Sequence, residues 1–121
     1  MIYLAIPYTG TKEQMQERYT KAVKACAELM KHGLNVFSPI VHSHPIAQQL
    51  NNDTDCVFWL RKDQWFLKRC DVIAVLALEG YEKSKGVEHE VSFFLEHGKP
   101  VYYLREGEFD RAIGFLRSFG E

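Results

Sequence analysis

Residues 71–91, DVIAVLALEGYEKSKGVEHEV, decide how the rest of the chain is read. Val72 to Leu78 form an unbroken apolar run bounded by Asp71 and Glu79, the pattern of a strand buried on both faces of a parallel sheet. A polar loop follows, then Gly86, then an amphipathic segment in which Glu90 stands four residues after that glycine. The pattern predicts a helix over about 86–97, stopped by Gly98, with a carboxylate in its first turn. Such a carboxylate would lie outside the carboxyl end of a strand, where open α/β sheets bind ligands.

Working outward, the same alternation of strand and helix runs from end to end. Residues 2–6 read as a first strand stopped by Pro7, and residues 34–37 as a second ended by Pro39. Between them Met15, Tyr19, Ala22, Val23, Cys26, Leu29 and Met30 recur at helical spacing, with Gly33 as the stop. Residues 40–53, rich in His, Pro, Gln and Asn, read as a long irregular loop, and a loop of that length in a small domain is usually functional. A helix is expected over about 54–69, a fourth strand over 101–104 after Pro100, and a last helix over about 108–119. Strands separated by helices imply right-handed crossovers and a parallel sheet covered on both faces. The expectation is a small doubly wound, flavodoxin- or Rossmann-like α/β domain of four to five strands in the order 2-1-3-4, occupying residues 1–121 as one unit. The crevice between strands one and three would then gather the loop after strand one, the long loop after strand two and the entry to the third helix.

Composition bounds the function. At 121 residues there is room for one domain with a core, and a formal net charge of −1 offers no basic excess for a nucleic acid. The longest apolar run is far too short to span a bilayer, and the strand-like start lacks the charged and small-residue marks of a signal peptide. Cys26, Cys56 and Cys70 are odd in number and lie in helix-like segments or next to a strand; they read as reduced thiols of a cytoplasmic protein rather than as nucleophiles.

Several residues carry chemistry. A helix N-terminus favours the ionised form of a nearby carboxylate, so Glu90 is expected charged, as attack on a sugar carbon requires. Asp63 lies two helical turns before the third strand, and either faces the crevice or is a solvated carboxylate beside Arg61 and Lys62. Pro7, Tyr8, Thr9 and Gly10 open onto a helix and make either an anion cradle or an ordinary turn. Arg18, further along, either neutralises a phosphate or sits on a solvated face.

Taken together, I-Y-L-A-I-P-Y at the start, F-S-P-I-V-H-S-H-P-I after strand two, Asp63-x3-Leu67-x3-Asp71 and G-V-E-H-E-V at residues 86–91 resemble the nucleoside 2-deoxyribosyltransferase superfamily. That superfamily includes the 2′-deoxynucleoside 5′-monophosphate N-glycosidases, and the DUF1937-type branch is the more similar part of it. The resemblance runs through about Leu104. It implies that Glu90 attacks C1′ and forms a covalent glycosyl-enzyme, that Asp63 helps protonate the leaving base, and that the Tyr3 hydroxyl orients the nucleophile. It also implies a small-molecule nucleoside or nucleotide as partner, no cofactor or metal, and a homodimer or larger homo-oligomer, for which Trp59 or Trp65 are candidate interface residues. Thr9, Gly10, His44, Ser84 and Gly86, with Pro7 and Tyr8, are the candidates for substrate contact. The chain departs from the glycosidases in the first loop, which has fewer glycines and no arginine. The extra acidic residue of the transferases has no clear counterpart among Glu79 and Glu82, and His42 and Ser43 have no assigned role.

Three other readings compete. His42, His44, Asp53 and Asp55 contain a zinc-like His-x-His but no HExxH or CxxC. A non-catalytic nucleotide-sensing module on the same fold gains if Glu90 and Asp63 point apart. Cleavage of a ribonucleotide-type cofactor such as NAD uses similar glutamate chemistry in more room.

Overall fold

Every residue of Ile2–Ala5 (β1) and Val72–Leu76 (β3) is buried, so both strands lie inside a sheet covered on its two faces. These and the other elements come from a computed structural model, which describes residues 1–50 and 56–120. Val36–Phe37 (β2) and Val101–Leu104 (β4) flank the central pair, giving the expected order β2-β1-β3-β4 with every pairing parallel. Parallel neighbours require crossovers. Lys12–Lys31 (α1) joins β1 to β2, Pro39–Gln49 (α2) and Cys56–Arg69 (α3) lie between β2 and β3, Lys85–Glu96 (α4) joins β3 to β4, and Phe109–Gly120 (α5) closes the chain. This is the small doubly wound α/β fold that the sequence pattern predicts.

Alternation along the strands deals their residues into two cores. Ile2, Leu4, Val72, Ala74 and Leu76 face Ala22, Ala25, Cys26 and Leu29 of α1 and Ala112, Ile113 and Leu116 of α5. Tyr3, Ala5, Ile73 and Val75 face the other way, against Leu67 of α3 and Val87 and Phe94 of α4. The inner stripe of α1 is narrower than the sequence pattern predicts. Val23 and Met30 are exposed, and Ala25 completes the buried i, i+3, i+4, i+7 set with Ala22, Cys26 and Leu29.

The long loop expected over 40–53 is largely a helix. Ser38 is extended and its side chain accepts from Val41 N at 3.5 Å, while Pro39 takes the first helical position, where its missing N–H is harmless. Pro45 sits inside α2 on its exposed side, and burial of Pro39, Ser43 and His44 holds the helix around it. Composition pointed to a loop; an N-cap and tertiary packing override it. The start expected for the following helix at Thr54, like Asp53 and Asp55, lies outside the described residues.

Candidate active site

Helix α4 starts where Ser84 caps it, its hydroxyl accepting from Val87 N at 3.2 Å. The acidic residue of the first turn is Glu88. Glu90 comes six residues after the cap, roughly 9 Å along the axis, and with Val87 and Phe94 forms the buried stripe of the helix. Its placement in the first turn is therefore corrected to the second, and its side chain is turned into the core at 8 % exposure. The helix dipole fades within the first turn, so burial decides the protonation state. Burial pushes the Glu90 carboxyl up to about 8; the hydrogen bond from Tyr3 works against that, and the neighbouring Asp63 carboxyl adds to it. At neutral pH Glu90 is mostly a neutral acid, not the charged group expected from a helix start.

Tyr3, fully buried on β1, donates its hydroxyl proton to Glu90 Oε2. Burial, reinforced by the Glu90 and Asp63 carboxyls, raises the phenol well above its usual value, so it stays a donor. Among the described residues no donor reaches Glu90 Oε1. Asp63 is half-buried in α3, on the stripe that carries Leu67 and then Cys70, and burial raises its carboxyl to about 6. Asp63 is therefore not a fully solvated carboxylate: it is half-buried and lies near enough to Tyr3 and Glu90 to bear on the titration of both. Rings wall this group of acids. Tyr3 lies 5.8 Å from Phe37 and 5.9 Å from Phe94, and Phe37 stacks on Phe66 at 3.7 Å. His42 tilts against Phe37 at 5.9 Å.

The first loop builds something else. Pro7 is buried, Tyr8 is half-buried, and Thr9 and Gly10 are exposed. Tyr8 Oη pairs with His44 Nδ1 at 2.6 Å, and His44 Nε2 meets Gln16 Oε1 at 3.2 Å and Gln48 Nε2 at 3.4 Å. The imidazole also stacks on Tyr19 at 4.1 Å. With both ring nitrogens engaged and burial lowering its pKa, His44 pins the loop to α1 and α2 as a neutral ring. Arg18 Nη1 donates to the Tyr8 and Thr9 carbonyls at 3.2 and 2.9 Å. A Cβ on Gly10 would run into Gln14 Oε1, which is folded back onto Thr11 N as part of the α1 cap, and would lie 3.1 Å from Arg18 Nη1. Tyr8 packs against the core shared by α1 and α5, and Tyr3 against the opposite one. The structure thus brings Tyr3, Asp63 and Glu90 together and gathers Tyr8 and His44 into a separate cluster. Gly86 is exposed in the first turn of α4, and Ser84, with Val87, Val91 and Tyr103, lines a cavity between that helix and β4.

Among the described residues no group of three or more His, Cys, Asp or Glu side chains is placed to hold a metal ion. His42 and His44 diverge onto different ring clusters, and Asp53 and Asp55, the remaining ligands of that reading, are outside the described residues. Cys26 and Cys70 are buried with thiols raised to about 11, chiefly by that burial, so neither is a thiolate at neutral pH.

The Phe37–Phe66 stack beside the acids was missed by the sequence reading. Two signals point to it: Phe37 is the parallel partner of Tyr3 across β2 and β1, and Phe66 follows Asp63 at helical spacing.

Among the described residues no helix is long and apolar enough to cross a membrane. No curated protein matches the chain. A family model matches residues 1–106, which takes in every element through β4, and the chain belongs to that family, a domain of unknown function (DUF1937).

Proposed function

We propose that this protein cleaves or transfers the N-glycosidic bond of a (deoxy)nucleoside or nucleoside 5′-monophosphate, with Glu90 as nucleophile, Asp63 as acid–base group and Tyr3 as the orienting group. One observation carries the reading: the Tyr3 hydroxyl holds Glu90 Oε2 while Asp63 lies close enough to disturb the titration of both. Breaking an N-glycosidic bond builds positive charge on the sugar, which a carboxylate stabilises and then captures at C1′. That same charge draws Glu90 toward its ionised form as the reaction proceeds. The buried phenol keeps one carboxylate oxygen fixed, so the other is presented to C1′ in a single rotamer. No cofactor enters this chemistry. We also place an interface between copies of the chain at its exposed apolar side chains, of which Trp65 at 55 % and Leu95 at 63 % exposure are the largest contributors; light scattering of the purified protein tests it.

Incubation with a panel of nucleosides and monophosphates, with chromatography for free base, tests the activity. Base release that vanishes in Glu90→Ala supports the proposal. Release that persists unchanged in that variant removes Glu90 from the mechanism. Binding of nucleotide with no release from any substrate makes the protein a sensing module instead.

A further inference from the structure

Three acidic groups from three separate elements meet on one side of the sheet: Tyr3 from β1, Asp63 from α3 and Glu90 from α4. No ion pair among the described residues reaches any of them. The nearby Lys99 ammonium is engaged by the carbonyls of Lys68 and Cys70, at 3.1 and 2.8 Å. Around the acids stand the Phe37, Phe66 and Phe94 rings; Phe37 and Phe66 stack on each other, and Lys99 Nζ lies 5.8 Å from the centre of the Phe94 ring. One oxygen of Glu90, in a side chain more than nine-tenths buried, has no donor among the described residues. Carboxyls without an ion-pair partner among the described residues, one of them with an oxygen that no donor there reaches, favour a positively charged occupant.

We propose that the substrates of this site are nucleosides or nucleotides whose base carries a fixed positive charge at or next to the glycosidic nitrogen, such as N-glycosylated pyridiniums and N7-alkylated purines. The proposal rests on the glycosidic reading above and narrows it.

The placement of protons points the same way. A neutral base leaves as an anion unless it is protonated, so the acid–base residue must hold a proton while the nucleophile has none. Here burial raises the carboxyl of the nucleophile itself, Glu90, so at neutral pH the fold favours its protonated form. A nucleophile held protonated does not suit a neutral base. A cationic base removes the conflict. Its charge stabilises the ionised form of Glu90, whose proton passes to solvent on binding. A Glu90 oxygen then bonds to C1′ as the C1′–N bond breaks, and the bonding pair cancels the charge on the ring nitrogen, so the base leaves neutral with no proton added. Water next attacks C1′ and displaces the Glu90 carboxylate, while ionised Asp63 accepts the proton that the water loses. Overall, the cation and one water give neutral base, free sugar and one proton.

Two carbocyclic nucleosides with uncleavable C–N bonds serve as binding probes: carbocyclic nicotinamide riboside, a pyridinium, and its neutral dihydropyridine form. Calorimetry at pH 7 in two buffers of different ionisation heat reads affinity and proton release together. The cation is expected to bind at least tenfold tighter and to release close to one proton, and Glu90→Gln is expected to abolish the release. Equal or tighter binding of the neutral form, or cation binding with no proton released, overturns the proposal. Cleavage of nicotinamide riboside and inosine, each relative to its uncatalysed rate, completes the test, with a Glu90-dependent acceleration expected for the cation. A larger acceleration for inosine overturns this inference and leaves the glycosidic reading standing. Cation binding without cleavage overturns the substrate assignment, and failure to bind or cleave any nucleoside removes both.

Discussion

Replacing Glu90 by Gln tests the electrostatics of the site without any substrate. The amide keeps an oxygen for the Tyr3 hydroxyl and nearly the same volume, but it does not titrate. In the native protein burial raises the Glu90 carboxyl from 4.5 to about 8, so between those values the folded state binds more protons than the unfolded state. Stability then falls as pH rises, and the contribution present below pH 4.5 is lost as pH passes through 8. Integrating the proton difference from pH 6.5 to pH 9 gives a loss of about 2 kcal/mol from Glu90 alone. In this window Asp63, at about 6, is already mostly ionised, and the Cys26 and Cys70 thiols, at about 11, contribute only near its upper end. Those groups are common to both proteins, so the difference between native protein and variant isolates Glu90. Urea unfolding at intervals across the window is the assay, and the native midpoint is expected to drop by about 1–2 M relative to Glu90→Gln. Parallel pH profiles for the two proteins would refute the reasoning, because Glu90 would then be ionised in the fold or exposed to water.

Tyr3→Phe removes the one bond that favours ionised Glu90, so the carboxyl is expected to titrate still higher, with a loss of about 1–3 kcal/mol of stability; an unchanged Glu90 carboxyl titration by NMR contradicts this. Pro45→Ala restores a backbone N–H inside α2 on its exposed side and is expected to stabilise the protein by about 1 kcal/mol or more, read as a higher Tm. A lower Tm would mean that the proline ring packs in a way that its exposure does not indicate. For a substrate with a cationic base, kcat/KM is expected to rise with pH and level off near 8, following Glu90, with no falling limb near 6 from Asp63; a bell centred below 7 would make protonated Asp63 essential.

The sheet was legible because its central strands are unbroken apolar runs set between helical repeats, and that pattern has few other solutions. The contact between Tyr3 and Glu90 was legible only through the resemblance, since nothing in local spacing ties residues 87 positions apart. Two features were misread for physical reasons. The segment after β2 has the composition of a loop, yet the Ser38 cap with Pro39 behind it starts a helix that burial of Ser43 and His44 completes. The signature was present and was outweighed by the His, Pro and Asn content. The expectation of a charged Glu90 fails because Gly86 is not the start of the helix. The true cap, Ser84, lies two residues earlier and moves the carboxyl out of reach of the helix terminus and into the core. Sequence alone also does not reveal that Tyr8, Gln16 and Gln48 engage both nitrogens of His44.

Burial of the nucleophile does not count against the proposed chemistry. With the carboxyl at about 8, removing its proton at pH 7 costs about 1.4 kcal/mol, a factor of ten in the ionised fraction. That is small beside the barrier that a glycosidase lowers. The same elevation makes the carboxylate, once formed, more basic than one that titrates at 4.5, and a more basic oxygen is the better nucleophile toward C1′. An ionised Glu90 held in the packed core would instead carry a desolvation penalty of several kcal/mol throughout the life of the fold. Kept neutral by burial and oriented by Tyr3, the acid is compatible with a stable core and is ionised only when positive charge arrives beside it. Chemistry and stability therefore make opposite demands on one side chain, and the arrangement meets both by making the charge conditional on the ligand.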